Sequence, residues 1–148
     1  MKILYIHPDT TELRDSQCTI PIGIVGLLNI LIHDGNEVKG INIPIEKSIN
    51  KNFNLEHEIK VFKPNIVMVD LHWYIYSYSS IEICKTVKEI NSEIKTIIGG
   101  ITASIYYKEI MENFEFIDYI LRGDSEIPIK TLFRLFNQNK SNFELVPN

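Results

Sequence analysis

Five short apolar runs, each followed by a helix-like pattern, are the strongest constraint on how this chain folds. They are "KILYIHP" (Lys2 to Pro8), "EVKGINI" (Glu37 to Ile43), "KPNIVMVD" (Lys63 to Asp70), "KTIIGG" (Lys95 to Gly100) and "FIDYILRG" (Phe116 to Gly123). Most are nearly continuous in apolar residues rather than alternating, as strands buried on both faces require. The intervening segments carry helix signals. Pro21 opens the first, where its missing N–H costs nothing, and Gly35 closes it. Leu55, Ile59 and Phe62 are helically spaced, and Ser79 with Glu82 has capping-box spacing. Thr102 is placed to cap a helix over "TASIYYKEIMENF", and Asp124 or Ser125 to cap one over "DSEIPIKTLFRLF".

Strands alternating with helices form a parallel sheet covered on both faces. Short right-handed crossovers favour an open, doubly wound α/β sheet of order 2-1-3-4-5, flavodoxin-like or Rossmann-like. Such sheets bind ligands beyond the carboxyl ends of their strands, where the strand order reverses. That rule selects the loops from Pro8 to Ile20, Pro44 to Lys51, Leu71 to Tyr78, Gly99 to Thr102 and Arg122 to Ser125.

The remaining composition excludes more than it selects. At 148 residues and 45% hydrophobic, the chain has enough material for one core. A net charge of −4 without a basic cluster argues against nucleic acid. "IPIGIVGLLNILI" is too short to span a bilayer, so no membrane span is expected. Cys18 and Cys84 have no metal-site spacing and fit a reducing, cytoplasmic setting. No catalytic residue and no metal ligand set is assigned.

Two of the selected loops invite a ligand. "LHWYIYSYS" holds His72, the single tryptophan Trp73, and Tyr74, Tyr76 and Tyr78. It reads as a stacking wall, as a surface for another domain, or as a loop folded over the core. Gly99 and Gly100, followed by Thr102, either let the strand turn or leave bare backbone at a helix N-terminus for an extended ligand or a phosphate. Gly100→Val is expected to leave the fold largely intact yet block the ligand, whereas an unfolded domain would mean that the glycines serve the turn. No GxGxxG follows the first strand and no P-loop is present, which argues against dinucleotides. The loop "DTTELRDSQCT" is a poor phosphate loop for FMN. Asp70 sits where receiver domains carry their phosphoacceptor, but the acidic pair after strand one and the lysine after strand five are missing.

Together, "PIGIVGLLNILIHDGNEV", "KPNIVMVDLHW", "IIGGITAS" and "DYILRGDSE" resemble, in order and spacing, the N-terminal cobalamin-binding domain of B12-dependent radical S-adenosylmethionine (SAM) enzymes. The resemblance extends to the group that includes the anaerobic magnesium-protoporphyrin IX monomethyl ester (oxidative) cyclase-like proteins. Ser125 and Asp124 depart from the family's usual glycine and glutamate. The D-x-H-x-x-G motif of methionine-synthase-type domains is missing after strand one, which implies cobalamin bound base-off, its lower face open or covered by Trp73 or Tyr74. The resemblance implies cofactor contacts from Pro21, Gly23, Asp70, His72, Trp73, Tyr74, Gly99, Gly100, Thr102, Arg122, Gly123 and Asp124. It implies a cobalamin-binding domain over residues 1–138, with 139–148 beginning a linker to a downstream radical SAM domain. That domain, the expected partner, would bring the [4Fe–4S] cluster, S-adenosylmethionine and the small-molecule substrate, for methyl transfer or oxidative cyclisation. A docking module of the same parent enzyme that does not itself bind cobalamin is the alternative.

Overall fold

In the first strand, β1 (Lys2–His7), side chains alternate between the two faces of the sheet. Leu4 and Ile6 enter one apolar cluster, Ile3 and Tyr5 the other. The computed structural model describes residues 1–10, 22–138 and 146. Within them the chain continues through α1 (Ile22–His33), β2 (Glu37–Asn42), α2 (Ile43–Ile49), α3 (Leu55–Phe62), β3 (Ile66–Asp70) and α4 (Ser77–Ile90). It then forms β4 (Lys95–Gly99), α5 (Ile101–Ile105), α6 (Tyr107–Asn113), β5 (Tyr119–Leu121) and α7 (Glu126–Asn137). All strand pairs are parallel and their order is β2-β1-β3-β4-β5, as expected. No helix among the described residues is long and apolar enough to cross a membrane.

The two faces of the sheet carry separate cores. On one, Leu4, Ile6, Val67, Val69 and Ile98 meet Ile59, Ile83, Cys84 and Val87 from α3 and α4. On the other, Ile3, Tyr5, Met68 and Ile97 meet Leu31 of α1 and Ile129, Leu132 and Phe133 of α7. The helices differ in how firmly they are seated. Five residues of α7 are buried, whereas Leu31 alone is buried in α1.

Several local expectations are corrected. The segment after β2, read as a loop over Pro44 to Lys51, forms the helix α2. The Asn42 side chain accepts from Ile45 N (3.1 Å), and Pro44 occupies the first turn, where no donor is needed. The capping box at Ser79 does not form. The chain passes through a 3₁₀ turn at Tyr74–Tyr76 and α4 begins at Ser77 without a side-chain cap. Thr102 is not a cap either, since Gly100 holds that position, and the expected single helix after β4 breaks at Tyr106. Ser125 occupies the cap position of α7 but makes no capping hydrogen bond. Pro21, Cys18, the loop over residues 11–20 and the linker over 139–148, except Val146, lie outside the described residues.

At the amino-terminal edge, Asp118 holds β4, β5 and α4 together. Its Oδ2 accepts from Thr96 N (2.7 Å) and Thr96 Oγ1 (3.1 Å) and pairs with Lys88 Nζ (2.7 Å). Asp118→Ala removes the side-chain acceptor of Thr96 N and the counter-ion of Lys88 and should cost about 1–3 kcal/mol in urea unfolding.

Candidate functional site

The strand order reverses between β1 and β3, so their carboxyl ends open the crevice in which doubly wound sheets place ligands. The last residues of these strands, His7 and Asp70, form a buried pair with Nδ1 3.0 Å from Oδ2. Both are nearly inaccessible, at 1% and 2% exposure. The edge of the Tyr76 ring closes against His7, with centroids 5.1 Å apart. Ser80 donates to the Asp70 carbonyl at 2.7 Å, tying α4 to the same strand end. Tyr5, two residues before His7 and on the same face, has a buried hydroxyl without a partner among the described residues, and the buried His7 Nε2 also lacks one. Burial first, then the Asp70 charge, pushes the Tyr5 and Tyr76 phenols above their ordinary range, so both stay neutral donors.

Two connected spaces lie over this pair. A pocket of about 460 Å³ is walled by Gly23, Ile24 and Leu27 of α1, by Asp70 and His72, by Gly100, Ile101, Ser104 and Ile105, and by residues 123–126. Beneath it, a slot of about 40 Å³ runs between the sheet and α1, lined by Tyr5, Met68, Asp70, Ile97, Gly99, Leu121 and Ser125 among others. Ile24, Leu27, Asp70, Gly100 and Ser125 border both, so the slot opens from the floor of the pocket. A further cavity of about 380 Å³, beside Asn65, Asn91, Lys95 and Tyr119, lies at the opposite edge, away from the strand crossover.

The two adjacent glycines have different duties. Gly99 ends β4 facing the slot, and a Cβ there would meet Leu121 at an ordinary 3.8 Å. Gly100 has φ +118°, and a Cβ would sit 2.6 Å from the Leu71 carbonyl oxygen and 2.7 Å from His72 N. Replacing Gly100 therefore breaks the backbone packing, which overturns the expectation that Gly100→Val leaves the fold largely intact. The expected bare helix N-terminus is also absent. Thr102 N donates to His72 O and Ala103 N to Leu71 O, each at 3.3 Å, so the loop after β3 already occupies these donors. The Thr102 hydroxyl donates to the same His72 carbonyl at 3.1 Å, and Thr102 is not among the pocket walls.

The other sequence candidates divide cleanly. Gly23, Asp70, His72, Gly99, Gly100, Gly123 and Asp124 line the pocket or the slot. Pro21 lies outside the described residues. Trp73 and Tyr74 line neither space and are exposed by 56% and 75%, with the Trp73 ring edge-on to His72. Tyr78 is exposed beside them, but Tyr76 turns inward and is only 3% exposed, so the aromatic loop is both wall and core. Arg122 sits with its guanidinium 3.8 Å over the Tyr107 ring and faces a different cavity.

Sequence reasoning missed Tyr5, His7, Ser104 and Ser125. The Ser104 hydroxyl donates to Gly100 O (2.8 Å) and accepts from Gly123 N (2.9 Å), holding the two glycine turns together. The only advance signal for Ser104 was its place in "GGITAS".

A family model described as the B12 binding domain matches residues 14–133. The hopanoid C-3 methylase of Methylococcus capsulatus is 23% identical over 149 residues, covering 99% of this chain. The chain spans only 28% of that relative's length. A novel cobalamin-binding protein from Desulfitobacterium hafniense DCB-2 superposes with a TM-score of 0.60 at 17% identity, over 89% of this chain and 57% of that one. The Salmonella typhimurium response regulator RcsB superposes with a TM-score of 0.61 at 13% identity, over 94% of this chain and 61% of that one. At such identities these structures share the fold alone. The phosphoacceptor position of a receiver domain is held here by Asp70, which is buried and paired with His7.

Proposed function

The chain belongs to the B12-binding domain family, and from that premise we propose that its carboxyl-edge pocket and slot hold cobalamin for chemistry completed by another domain of the same polypeptide. The observation that carries this reading is the slot itself. It descends from the pocket between the sheet and α1, is kept open by Gly99, and ends among residues that include Tyr5, whose buried hydroxyl has no partner among the described residues. In this arrangement the nucleotide tail threads past Gly99 and Gly100, and the corrin rests on the pocket rim beside His72, Gly123 and Asp124. Asp124 and Glu126 offer acceptors to its amide side chains. Admitting an aromatic base requires the 40 Å³ slot to widen, and α1 is the wall that yields, because only Leu31 anchors it fully in the core.

The cofactor, when bound, supplies alkyl-transfer or radical chemistry at its cobalt, while this chain places it and shields it from water. Without a D-x-H-x-x-G motif the reading is base-off, with Trp73 or Tyr74 over the lower face. The parent enzyme is read as a radical SAM protein, with its cluster, S-adenosylmethionine and substrate in the remaining length. Two facts favour this: the four motifs in register, and the 28% share of a methylase that the chain spans.

Graded filling of the slot tests the placement. Gly99→Ala adds a methyl at ordinary contact distance and should change cobalamin affinity less than threefold. Gly99→Leu should cut affinity at least tenfold, about 1.4 kcal/mol, while the circular dichroism spectrum stays that of the wild type. Equal affinity of the Leu variant and the wild type would place the tail elsewhere. The exposed ridge of Trp73, Tyr74 and Tyr78 also favours a docking role for this edge. Trp73→Ala with Tyr74→Ala should weaken cobalamin binding if the ridge covers the cofactor, and leave it unchanged if the ridge serves only to dock.

A further inference from the structure

Tyr5 poses a packing problem that a phenylalanine would not. It lies on the α1/α7 face of the sheet, among Ile3, Met68, Leu31 and Ile97, and is 2% exposed. Its ring alone satisfies that environment. Its hydroxyl is buried with no hydrogen-bond partner among the described residues, and an unsatisfied buried donor costs stability. The residue also lines the narrow slot, beside Gly99 and Ser125. A buried donor without a partner, on a residue that lines a largely apolar slot, calls for an acceptor.

We infer that Tyr5 is a specificity residue for the lower base of the corrinoid: its hydroxyl donates a hydrogen bond to the unprotonated ring nitrogen of the base entering the slot. The inference rests on the cobalamin reading of the site and deepens it. A base detached from cobalt exposes such a nitrogen, and the slot brings it into an apolar setting where one donor discriminates strongly. Burial and the Asp70 charge keep the phenol protonated, so the donor is present at every physiological pH. Asp70 does not compete for the role, because its carboxylate only accepts and is engaged by His7 at 3.0 Å.

Wild type and Tyr5→Phe should be titrated with hydroxocobalamin and with cobinamide, which has the corrin but lacks the nucleotide and base. The expected result is about tenfold weaker cobalamin binding by Tyr5→Phe, with cobinamide affinity changed less than twofold. The ligand-free variant should melt no lower than the wild type, since no hydrogen bond is lost. If wild type binds cobalamin and Tyr5→Phe binds it equally well, the Tyr5 assignment is overturned and the site reading stands. Equal weakening toward both ligands also overturns it, since the hydroxyl then acts on the corrin or on the fold. Failure of wild type to bind cobalamin overturns the site reading and the inference together.

Discussion

Gly100→Val is expected to unfold the domain. At φ +118° an L side chain is strained by about 1–3 kcal/mol before any contact is considered. The contact is worse than the strain, since the new Cβ would lie 2.6 Å from the Leu71 carbonyl oxygen and 2.7 Å from His72 N. These are backbone atoms with little room to retreat. Leu71 N donates to Gly99 O at 2.7 Å, and Leu71 O accepts from Ala103 N at 3.3 Å. Relief therefore requires separating β3 from the start of α5. The combined cost should exceed about 4 kcal/mol, a large share of the 5–15 kcal/mol that holds such a domain together. Urea unfolding followed by far-ultraviolet circular dichroism measures it directly. A variant with the wild-type midpoint would show that this turn is not the rigid element described.

Asp70→Ala carries the second large effect. The Asp70 and His7 side chains are almost fully excluded from solvent, and each has the other as its side-chain partner. Removing Asp70 leaves the buried His7 ring without its hydrogen-bond partner, which costs about 1–3 kcal/mol. His7 would be left with both ring nitrogens unpaired among the described residues, as Nε2 already is. Replacing both residues by leucine should recover most of the loss, since an apolar pair has no such debt. Thermal melts of Asp70→Leu, His7→Leu and the double variant give the coupling energy. A single variant as stable as wild type would mean that the pair is more hydrated than its 1–2% exposure implies.

The fold was legible because its signals are local. Near-continuous apolar runs such as "NIVMV" mark strands buried on two faces, and the handedness of crossovers turns their sequence order into a spatial order. The site was legible only where a motif named a loop. The "GG" pair was found, but nothing local separates Gly99, which faces the slot, from Gly100, which the backbone demands. Tyr74, Tyr76 and Tyr78 look alike in sequence, yet a single 3₁₀ turn sends Tyr76 into the core and leaves its neighbours exposed. His7 ends a strand like any other strand residue, and its partner lies 63 positions away. Tyr5 reads as one more core aromatic until the missing partner of its hydroxyl is seen. Long-range pairing and unsatisfied polar atoms are properties of the packed chain, and periodicity does not encode them.

Titrating the protein with hydroxocobalamin tests the central claim most directly. Trp73 is the single tryptophan and stacks edge-on against His72 of the pocket wall, so its fluorescence responds to cobalamin bound there. Saturable quenching, with cobalamin absorbance retained through desalting at about one equivalent per chain, is the result the pocket and slot predict. Unquenched Trp73 emission with no cobalamin retained would contradict a cobalamin site at this edge of the sheet.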